Sequence, residues 1–211
     1  MKIKICGMKY RQNIHEIIKL KPDFIGFIFY QKSKRFVGET FNENLLKTIP
    51  KTTKTVAVFV NESIAQVINI KEKYGFDYVQ LHGDESPKYC EELFSREIKI
   101  IKAFRVDDDF DFNNLNLYAG FCNLFLFDTK AKEYGGTGKT FNWKLLENYK
   151  TAVPFLLSGG IGIDNIEEAM DLYHPMLYGF DINSKLEIQP SIKSKDKTEL
   201  IIKTIRNYDR N

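Results

Sequence analysis

The feature that most restricts the fold of this chain is the alternation of short apolar runs with amphipathic segments along its length. Eight runs are rich in β-branched and aromatic residues, and most are continuously apolar, which is typical of parallel strands covered on both faces. The sequence therefore predicts a buried parallel sheet. Its strands are predicted over residues 3–7, 23–29, 54–60, 78–83, 99–106, 124–130, 154–160 and 178–184.

Segments with helical spacing separate these runs. The stretch 107–123 is polar and weakly periodic, so the fifth helix is expected to be short or irregular. The helices are predicted over residues 13–19, 42–49, 62–74, 87–94, 143–149, 164–173 and 197–207. Residue types suited to N-caps precede several of them, namely Asn61 or Ser63, Ser86, Asn142 and Asp164.

Eight strand-and-helix units spaced by about 20 to 30 residues predict a single (β/α)₈ TIM barrel over residues 1–211. A doubly wound open sheet is the alternative, but it usually has fewer strands. No glycine-rich dinucleotide fingerprint follows the first strand, and no linker divides the chain. The barrel is therefore the favoured fold.

Charge and composition exclude several classes of function. The 31 basic and 28 acidic residues leave a net charge of +3 without a basic stripe, so no nucleic-acid partner is expected. The densest basic stretch contains Lys193, Lys195 and Lys197 and is predicted to be a solvated face near the last helix. No apolar run approaches the roughly 18 residues that span a bilayer, and no apolar leader is present, so a cytoplasmic protein is expected.

The three cysteines, Cys6, Cys90 and Cys122, are too few and too irregularly spaced for a disulfide scaffold or a metal site. No metal is therefore expected. Each cysteine has to be judged separately.

Polar residues end several of the apolar runs. Ligands of parallel α/β folds bind beyond the carboxyl ends of the strands, so these side chains are expected to meet at one mouth. Taken alone, a strand cysteine is usually a small buried hydrophobe and an aspartate after a strand often only begins a loop. The residues concerned are Cys6, His82, Arg105, Asp128, Ser158 and Asp181.

Two glycine-rich segments are candidates for anion binding. One contains Gly136 and Gly138 after the sixth strand, and the other contains Gly159 and Gly160 at the end of the seventh. Glycine amides there can approach a phosphate, although ordinary turns explain both segments equally well.

Together these segments resemble the phosphoribosylanthranilate isomerase family, and the resemblance covers nearly the whole chain in one order. Each motif is weak alone, but the set with these spacings is specific. The motifs are Lys-Ile-Cys-Gly-Met at 4–8, Ser-Lys-Arg-Phe-Val at 33–37, Val-Gln-Leu-His-Gly at 79–83, Phe-Asp at 127–128, Gly-Gly-Thr-Gly-Lys-Thr-Phe-Asn-Trp at 135–143, Leu-Ser-Gly-Gly-Ile at 157–161 and Gly-Phe-Asp-Ile-Asn-Ser at 179–184.

The resemblance implies an Amadori rearrangement of N-(5-phosphoribosyl)anthranilate in tryptophan biosynthesis, without a cofactor. It implies that Asp128 is the general acid, which must be protonated when the substrate is bound, and that Cys6 is the general base. Arg35, which would otherwise be read as a solvated loop residue, is expected to pair with the anthranilate carboxylate. The remaining site residues are expected to be Gly136, Gly138, Gly159, Gly160, Asn183 and Ser184 for the phosphate, and Gln80, His82 and Asp181 along the wall.

The chain departs from the family pattern in three places. Lys185 stands where glycine is usual, and Ser191 follows Pro190 where a Pro-Gly pair is common. If a left-handed backbone is needed at such a position, a side chain there costs about 1 to 2 kcal/mol, which puts the course of the eighth loop and the phosphate affinity in question. Asn142 replaces a frequent aspartate but caps a helix equally well.

Two classes of rival function are kept as alternatives, although Cys6 with Arg35 argues against the first and Cys6 with Asp128 against the second. Another phosphate-binding barrel enzyme is possible, either an aldose-ketose isomerase of histidine synthesis, which works with an aspartate where Cys6 stands, or indole-glycerol-phosphate synthase, which needs a catalytic lysine. A non-catalytic phosphosugar-binding protein is a rival of another class. The expected partner is a small phosphosugar in every case, and the chain is expected to be a monomer or a homodimer.

Overall fold

The computed structural model describes residues 1–38, 41–130 and 140–208, in which eight parallel strands close into a barrel. Each strand is hydrogen-bonded to the next, and β8 returns to β1 through the register Ile3 to Phe180 and Ile5 to Ile182. The predicted (β/α)₈ barrel is therefore confirmed. The strands are β1 (Lys2–Ile5), β2 (Phe24–Ile28), β3 (Lys54–Phe59), β4 (Tyr78–Leu81), β5 (Ile100–Val106), β6 (Leu124–Thr129), β7 (Phe155–Leu157) and β8 (Leu177–Ile182).

Helices cover the outside of the barrel. The segments 107–123 and 143–149 form only short 3₁₀ helices, as expected for the first and contrary to the helix predicted for the second. The helices are α1 (Arg11–Ile18), α2 (Glu43–Leu46), α3 (Ile64–Tyr74), α4 (Pro87–Phe94), α5 (Ile166–Met170) and α6 (Lys195–Tyr208), with 3₁₀ helices at Phe112–Leu117, Trp143–Asn148 and Ser184–Leu186. Within the described ranges, no helix combines the length and apolarity needed to cross a bilayer.

Most of the predicted caps form. The side chains of Ser63, Ser86 and Asn142 accept hydrogen bonds from backbone amides in the first turns of their helices. The cap predicted at Asp164 is wrong, because α5 begins one residue later and its N-cap is Asn165. The Asn165 side chain instead holds the preceding loop, by accepting from Gly162 N at 2.8 Å and donating to Gly160 O at 3.0 Å.

Two apolar layers hold the barrel together. Strand residues that point outward pack beneath the helices, and Ile3 and Ile5 belong to this layer. Residues that point inward fill the barrel, and Cys6 belongs to this second layer with Val58 and Leu126. Because side chains alternate along a strand, Lys4 lies on the same inward face as Cys6. A fully buried lysine therefore lies within the barrel, immediately below the cysteine.

A short antiparallel hairpin follows the barrel. It consists of β9 (Glu187–Gln189) and β10 (Ile192–Lys193) and lies between β8 and α6. The prediction of a solvated lysine face near α6 is wrong for Lys193, which is fully buried, while Lys195 and Lys197 are exposed. Lys193 is buried because Glu187 and Asn183 supply polar partners to its ammonium group.

The two backbone departures have different outcomes. Lys185 lies in the 3₁₀ helix Ser184–Leu186 and does not have a positive φ, so the strain considered for it does not arise. Ser191, at the tip of the hairpin, does adopt a left-handed backbone with φ of 68°. The eighth loop therefore keeps the conformation that favours glycine, with a serine in its place.

Candidate active site

One cavity opens at the carboxyl ends of the barrel strands, as this architecture predicts. It gathers ten of the residues expected from the sequence on its wall. Gly136 and Gly138 lie outside the described residues, and Arg35 lies beside the cavity. The ten residues are Cys6, Gln80, His82, Asp128, Ser158, Gly159, Gly160, Asp181, Asn183 and Ser184.

Charged groups surround Cys6 at the end of β1. Lys4 Nζ donates a hydrogen bond to Asp181 Oδ1 at 2.8 Å, and both side chains are almost fully buried. Burial raises the pKa of the Cys6 thiol above its ordinary value, while the neighbouring Lys4 ammonium opposes that rise. The thiolate form of Cys6 is therefore disfavoured by desolvation and favoured by a fixed positive charge.

Gly26 on β2 makes room for this arrangement. A Cβ atom at that position would lie 2.7 Å from Cys6 Sγ and 3.3 Å from Lys4 Nζ. Both groups therefore pack against the same glycine, so a larger residue would displace the thiol or the ammonium.

A chain of hydrogen bonds leads to Asp128 on the opposite side of the mouth. Gln80 Nε2 lies 2.7 Å from His82 Nδ1, and His82 Nε2 lies 3.1 Å from Asp128 Oδ2. The amide of Thr129 donates to Asp128 Oδ1 at 2.8 Å, which holds the carboxyl group in place. Gln80 Oε1 is buried and has no hydrogen-bond partner among the described residues.

The glycines after β7 allow that loop to approach β6 closely. Gly159 and Gly160 have φ of 84° and 68°, a backbone conformation that side chains disfavour. A Cβ atom on Gly159 would lie 2.7 Å from Thr129 N and 3.0 Å from Asp128 Oδ1. The glycine therefore lets the loop lie directly against the residue that ends β6.

Arg35 is held by an acidic side chain. Its Nε and Nη2 donate to Glu187 Oε1 and Oε2 at 2.8 and 2.7 Å, a bidentate pair beside the mouth of the barrel. Arg35 also packs against Gly7, where an added Cβ atom would lie 2.7 Å from Arg35 Cδ and from Asn183 Oδ1. The arginine is thus fixed beside the site and is not a solvated loop residue.

Arg105 was expected at the same mouth, and that prediction is wrong. Its Nη2 donates to Asp84 Oδ1 at 2.9 Å, and it lines a separate depression beside β5 with Gly83 and Lys130. The side chain follows the end of β5 outward to a partner in the neighbouring loop, which the strand pattern alone did not reveal.

The sequence alone does not identify Glu187 and Lys193 as partners of the candidate residues, and it places Lys2 and Lys4 near Cys6 without settling which face of the strand each occupies. Lys4 pairs with Asp181 next to Cys6. Glu187 pairs with both Arg35 and Lys193 beside the mouth. A signal existed for Lys4, since it stands two residues before Cys6 on one strand and so shares its face. No local signal existed for Glu187, whose partner Arg35 is 152 residues away.

The described part of the chain contains no cluster of three or more His, Cys, Asp or Glu side chains able to hold a metal ion. Hydrogen-bonding side chains of the cavity surround Cys6 on one side and Asp128 on the other. The geometry therefore suits acid-base chemistry on a ligand placed between β1 and β6.

Comparison with known proteins identifies related chains. The profile of the family described as N-(5'phosphoribosyl)anthranilate (PRA) isomerase matches residues 3–204. An N-(5'-phosphoribosyl)anthranilate isomerase from Parabacteroides distasonis is 44% identical over 97% of this chain and 93% of its own length.

Solved structures agree in fold. The phosphoribosyl anthranilate isomerase of Thermotoga maritima superposes with a TM-score of 0.86 at 31% identity, covering 98% of this chain and 99% of that one. A phosphoribosyl anthranilate isomerase in complex with reduced 1-(o-carboxyphenylamino)-1-deoxyribulose 5-phosphate has a TM-score of 0.83 at 27% identity, with coverage of 98% and 99%.

Proposed function

The chain belongs to the N-(5'-phosphoribosyl)anthranilate isomerase family, and from that premise we propose which of its residues perform the reaction. It is an isomerase of tryptophan biosynthesis that converts N-(5-phosphoribosyl)anthranilate into 1-(2-carboxyphenylamino)-1-deoxyribulose 5-phosphate by an Amadori rearrangement. Membership of this family sets aside the rival barrel enzymes and the non-catalytic binding protein considered from the sequence.

Asp128 is proposed as the general acid. A protonated carboxyl group at the end of β6 gives its proton to the ring oxygen of the ribose, and the C1–O bond breaks to leave a Schiff base between C1 and the anthranilate nitrogen. The support is its place in the wall of the cavity, held by the Thr129 amide and facing His82.

The hydrogen bonds around Asp128 fit two protonation states. With Gln80 Nε2 donating to His82 Nδ1, the imidazole proton lies on Nε2 and is donated to an ionised Asp128. With the Gln80 amide turned so that Oε1 faces Nδ1, the imidazole proton lies on Nδ1, and Nε2 accepts a hydrogen bond from protonated Asp128. The second arrangement is the acid form, and it gives the buried Oε1 a partner.

Cys6 is proposed as the general base. Its thiolate removes the proton from C2 of the opened sugar, which gives an enol-amine. Tautomerisation to the ketose adds a proton at C1 and removes one from the C2 hydroxyl. The rearrangement consumes no proton overall, so the proton that Cys6 gains and the proton that Asp128 loses are returned in this last step.

Lys4 supplies a positive charge that stabilises the thiolate form of Cys6 in a buried site. Its ammonium is held by Asp181 on the inward face of the barrel, below Cys6. Since burial raises the pKa of Cys6, the base form is populated as the pH rises, and Lys4 limits how far that pKa moves.

Substrate binding is assigned to the residues around these two groups. Arg35 is proposed to pair with the anthranilate carboxylate, and Gln80, His82 and Asp181 to line the site. The small phosphosugar itself is the partner; a cytoplasmic location and a monomeric or homodimeric state remain predictions. The phosphate is assigned to the backbone amides of Gly136, Gly138, Gly159, Gly160, Asn183 and Ser184.

The observation that carries these assignments is the placement of Cys6 and Asp128 on one cavity wall, from β1 and β6. The test forms the labile substrate from anthranilate and phosphoribosyl pyrophosphate with the preceding transferase and follows its fluorescence. The wild-type chain should accelerate the decay, and Cys6→Ser or Asp128→Asn should each lower kcat by about 10²- to 10⁴-fold.

A matched control separates chemistry from folding. Cys122 is also buried but lies away from the cavity, so Cys122→Ser should keep the wild-type rate. If Cys6→Ser and Asp128→Asn fold and turn over substrate at the wild-type rate, the catalytic assignment is wrong. If the wild-type chain leaves the signal decaying at the spontaneous rate, the activity itself is contradicted.

A further inference from the structure

A network of three charged groups, one fully buried and two largely shielded from solvent, lies beside the mouth of the barrel. Glu187 accepts hydrogen bonds from Arg35 Nε and Nη2 at 2.8 and 2.7 Å and from Lys193 Nζ at 2.9 Å. Lys193 is fully buried, and the side chain of Glu187 is only 7% exposed. One carboxylate therefore lies between two cations that are far apart in the sequence.

The hairpin is tied to the rest of the fold from several sides. The Asn13 side chain in α1 accepts from Lys193 N and donates to Lys193 O, both at 2.8 Å. Ser191 N donates to Glu187 Oε1 at 3.0 Å across the turn. These bonds fix the backbone that carries Glu187 and Lys193.

Lys193 reaches from this hairpin to the loop that ends β8. Its ammonium donates to the backbone oxygen of Asn183 at 3.1 Å and to the side-chain oxygen of the same residue. Asn183 lines the cavity and precedes the 3₁₀ helix at Ser184. Lys193 therefore determines the position of a loop in the cavity wall without lining the cavity itself.

The charges do not cancel. Burial by itself raises the pKa of Glu187, but the hydrogen bonds and charges of Arg35 and Lys193 hold it below its ordinary value. Burial lowers the pKa of Lys193 to about 8, against the opposing charge of Glu187. Near neutral pH the network therefore carries one net positive charge beside a cavity whose substrate has two anionic ends.

Stability alone is a poor reason for such a network. Buried ion pairs often contribute little net stability, because removing charges from water costs about as much free energy as their attraction returns. An arginine side chain, however, loses about 2 kcal/mol of rotamer entropy when a ligand has to order it. Ordering Arg35 in advance removes that cost from substrate binding.

We propose that Glu187 and Lys193 are positioning residues for the two anionic ends of the substrate. Glu187 holds the Nε and Nη2 edge of Arg35, which leaves the edge carrying Nη1 for the anthranilate carboxylate. Lys193 holds Asn183, and with it the loop assigned to the phosphate. This inference rests on the proposed function, in which Arg35 and Asn183 bind the substrate.

The test is a cycle of variants with KM and kcat measured separately. Glu187→Gln and Lys193→Met should each raise KM by about 10-fold, the loss of one oriented charged contact, and change kcat by less than about 3-fold. In an Arg35→Ala background, Glu187→Gln should raise KM no further, whereas Lys193→Met should still raise it, because it acts through Asn183.

Binding measurements separate the role of Glu187, which acts through Arg35, from that of Lys193, which acts through Asn183. Calorimetry should show that Glu187→Gln weakens the reduced 1-(o-carboxyphenylamino)-1-deoxyribulose 5-phosphate analogue by about 10-fold and leaves an analogue without the carboxylate unaffected. Lys193→Met should weaken both. Lys197→Met, which removes an exposed lysine of α6, is the control and should change neither affinity.

The outcomes test the role of Arg35 separately from the roles of Glu187 and Lys193. If Arg35→Ala leaves KM unchanged, the role proposed for Arg35 is wrong. If Arg35→Ala raises KM but Glu187→Gln does not, or raises it equally in the Arg35→Ala background, Glu187 does not act through Arg35. If Lys193→Met fails to fold, Lys193→Gln replaces it, and an unchanged KM with a lowered melting temperature assigns Lys193 to stability alone.

Discussion

The two sides of the barrel mouth carry different kinds of side chain around Cys6 and around Asp128. Around Cys6 the groups are charged and fixed, since Lys4 is fully buried and paired with Asp181. Around Asp128 the partners form a chain of hydrogen bonds through His82 and Gln80, in which the protons have alternative positions.

This difference matches what each side is proposed to do. A base that must exist as an anion in a buried site is helped by a permanent positive charge nearby. An acid that must hold and release a proton is helped by partners that accept either of its protonation states. A fixed charge opposite Asp128 would favour one state, and a neutral partner below Cys6 would leave the thiolate unsupported.

Removal of the fixed charge should have the largest effect. Two unit charges about 4 Å apart interact by roughly 4 kcal/mol at an effective dielectric constant of about 20, and Asp181 offsets part of the Lys4 charge, so Lys4→Met should lower kcat/KM near neutral pH by about 10²- to 10³-fold. The base is a thiolate whose pKa burial already raises, so activity increases with pH, and this rise should move to higher pH in the variant.

The pKa of Cys6 can be followed directly. In a Cys90→Ala/Cys122→Ala background Cys6 is the remaining thiol of the chain, and the pH dependence of its alkylation by iodoacetamide reports its ionisation. An unchanged alkylation profile in Lys4→Met would contradict the role given to this lysine. The double variant Lys4→Met/Asp181→Asn avoids leaving a buried carboxylate without its partner.

Displacement of the base without any change of charge should have the next largest effect. Gly26→Ala would place a methyl group 2.7 Å from Cys6 Sγ. A shift of about 1 Å in a reacting group costs about 10²-fold, so kcat should fall by up to that factor. Gly120→Ala is the matched control, because a Cβ atom there meets no atom within 4 Å. Equal activity of the two variants would show that the thiol tolerates displacement.

Interruption of the hydrogen-bond chain on the acid side should have a smaller effect. His82→Asn leaves the carboxyl group of Asp128 in place but removes its imidazole partner, so kcat should fall by about 10-fold, the value of one hydrogen bond. In an Asp128→Asn background the same change should have no further effect. An additive loss would mean that His82 acts on the substrate independently of Asp128.

The smallest effect concerns the stability of the hairpin. Ser191 has a φ of 68°, and its buried hydroxyl has no hydrogen-bond partner among the described residues. Ser191→Gly should therefore raise the free energy of unfolding by about 1 kcal/mol in urea denaturation. Lys21→Gly, at an exposed position with φ of 56°, measures the backbone contribution alone. A lower stability of Ser191→Gly would show that the serine is not strained.

Much of the fold was predictable because its signals are local. Each strand of the barrel is a short apolar run, and Ser63 and Ser86 cap their helices through contacts within one turn. The helix predicted over 143–149 became a 3₁₀ helix, and the cap predicted at Asp164 moved by one residue. Such ends depend on packing, which competes with weak local preferences.

The candidate site was predictable only as a set of strand ends. That Cys6 and Asp128 line one cavity follows from the rule that parallel strands place their carboxyl ends together. The same rule failed for Arg105, because a long side chain at a strand end can turn to a partner outside the mouth. The sequence pattern identifies where a side chain starts, and its direction depends on its neighbours.

The order of strands and helices, the sharing of one strand face by Lys4 and Cys6, and the backbone freedom of the glycines after β7 were determined by the sequence alone, since periodicity and backbone freedom are properties of short segments. The pairings of Arg35 with Glu187 and of His82 with Asp128 were decided only by the tertiary structure. Closure of the barrel brings together residues that are 152 and 46 positions apart, and the free energy of burying their polar groups depends on partners that no local segment contains.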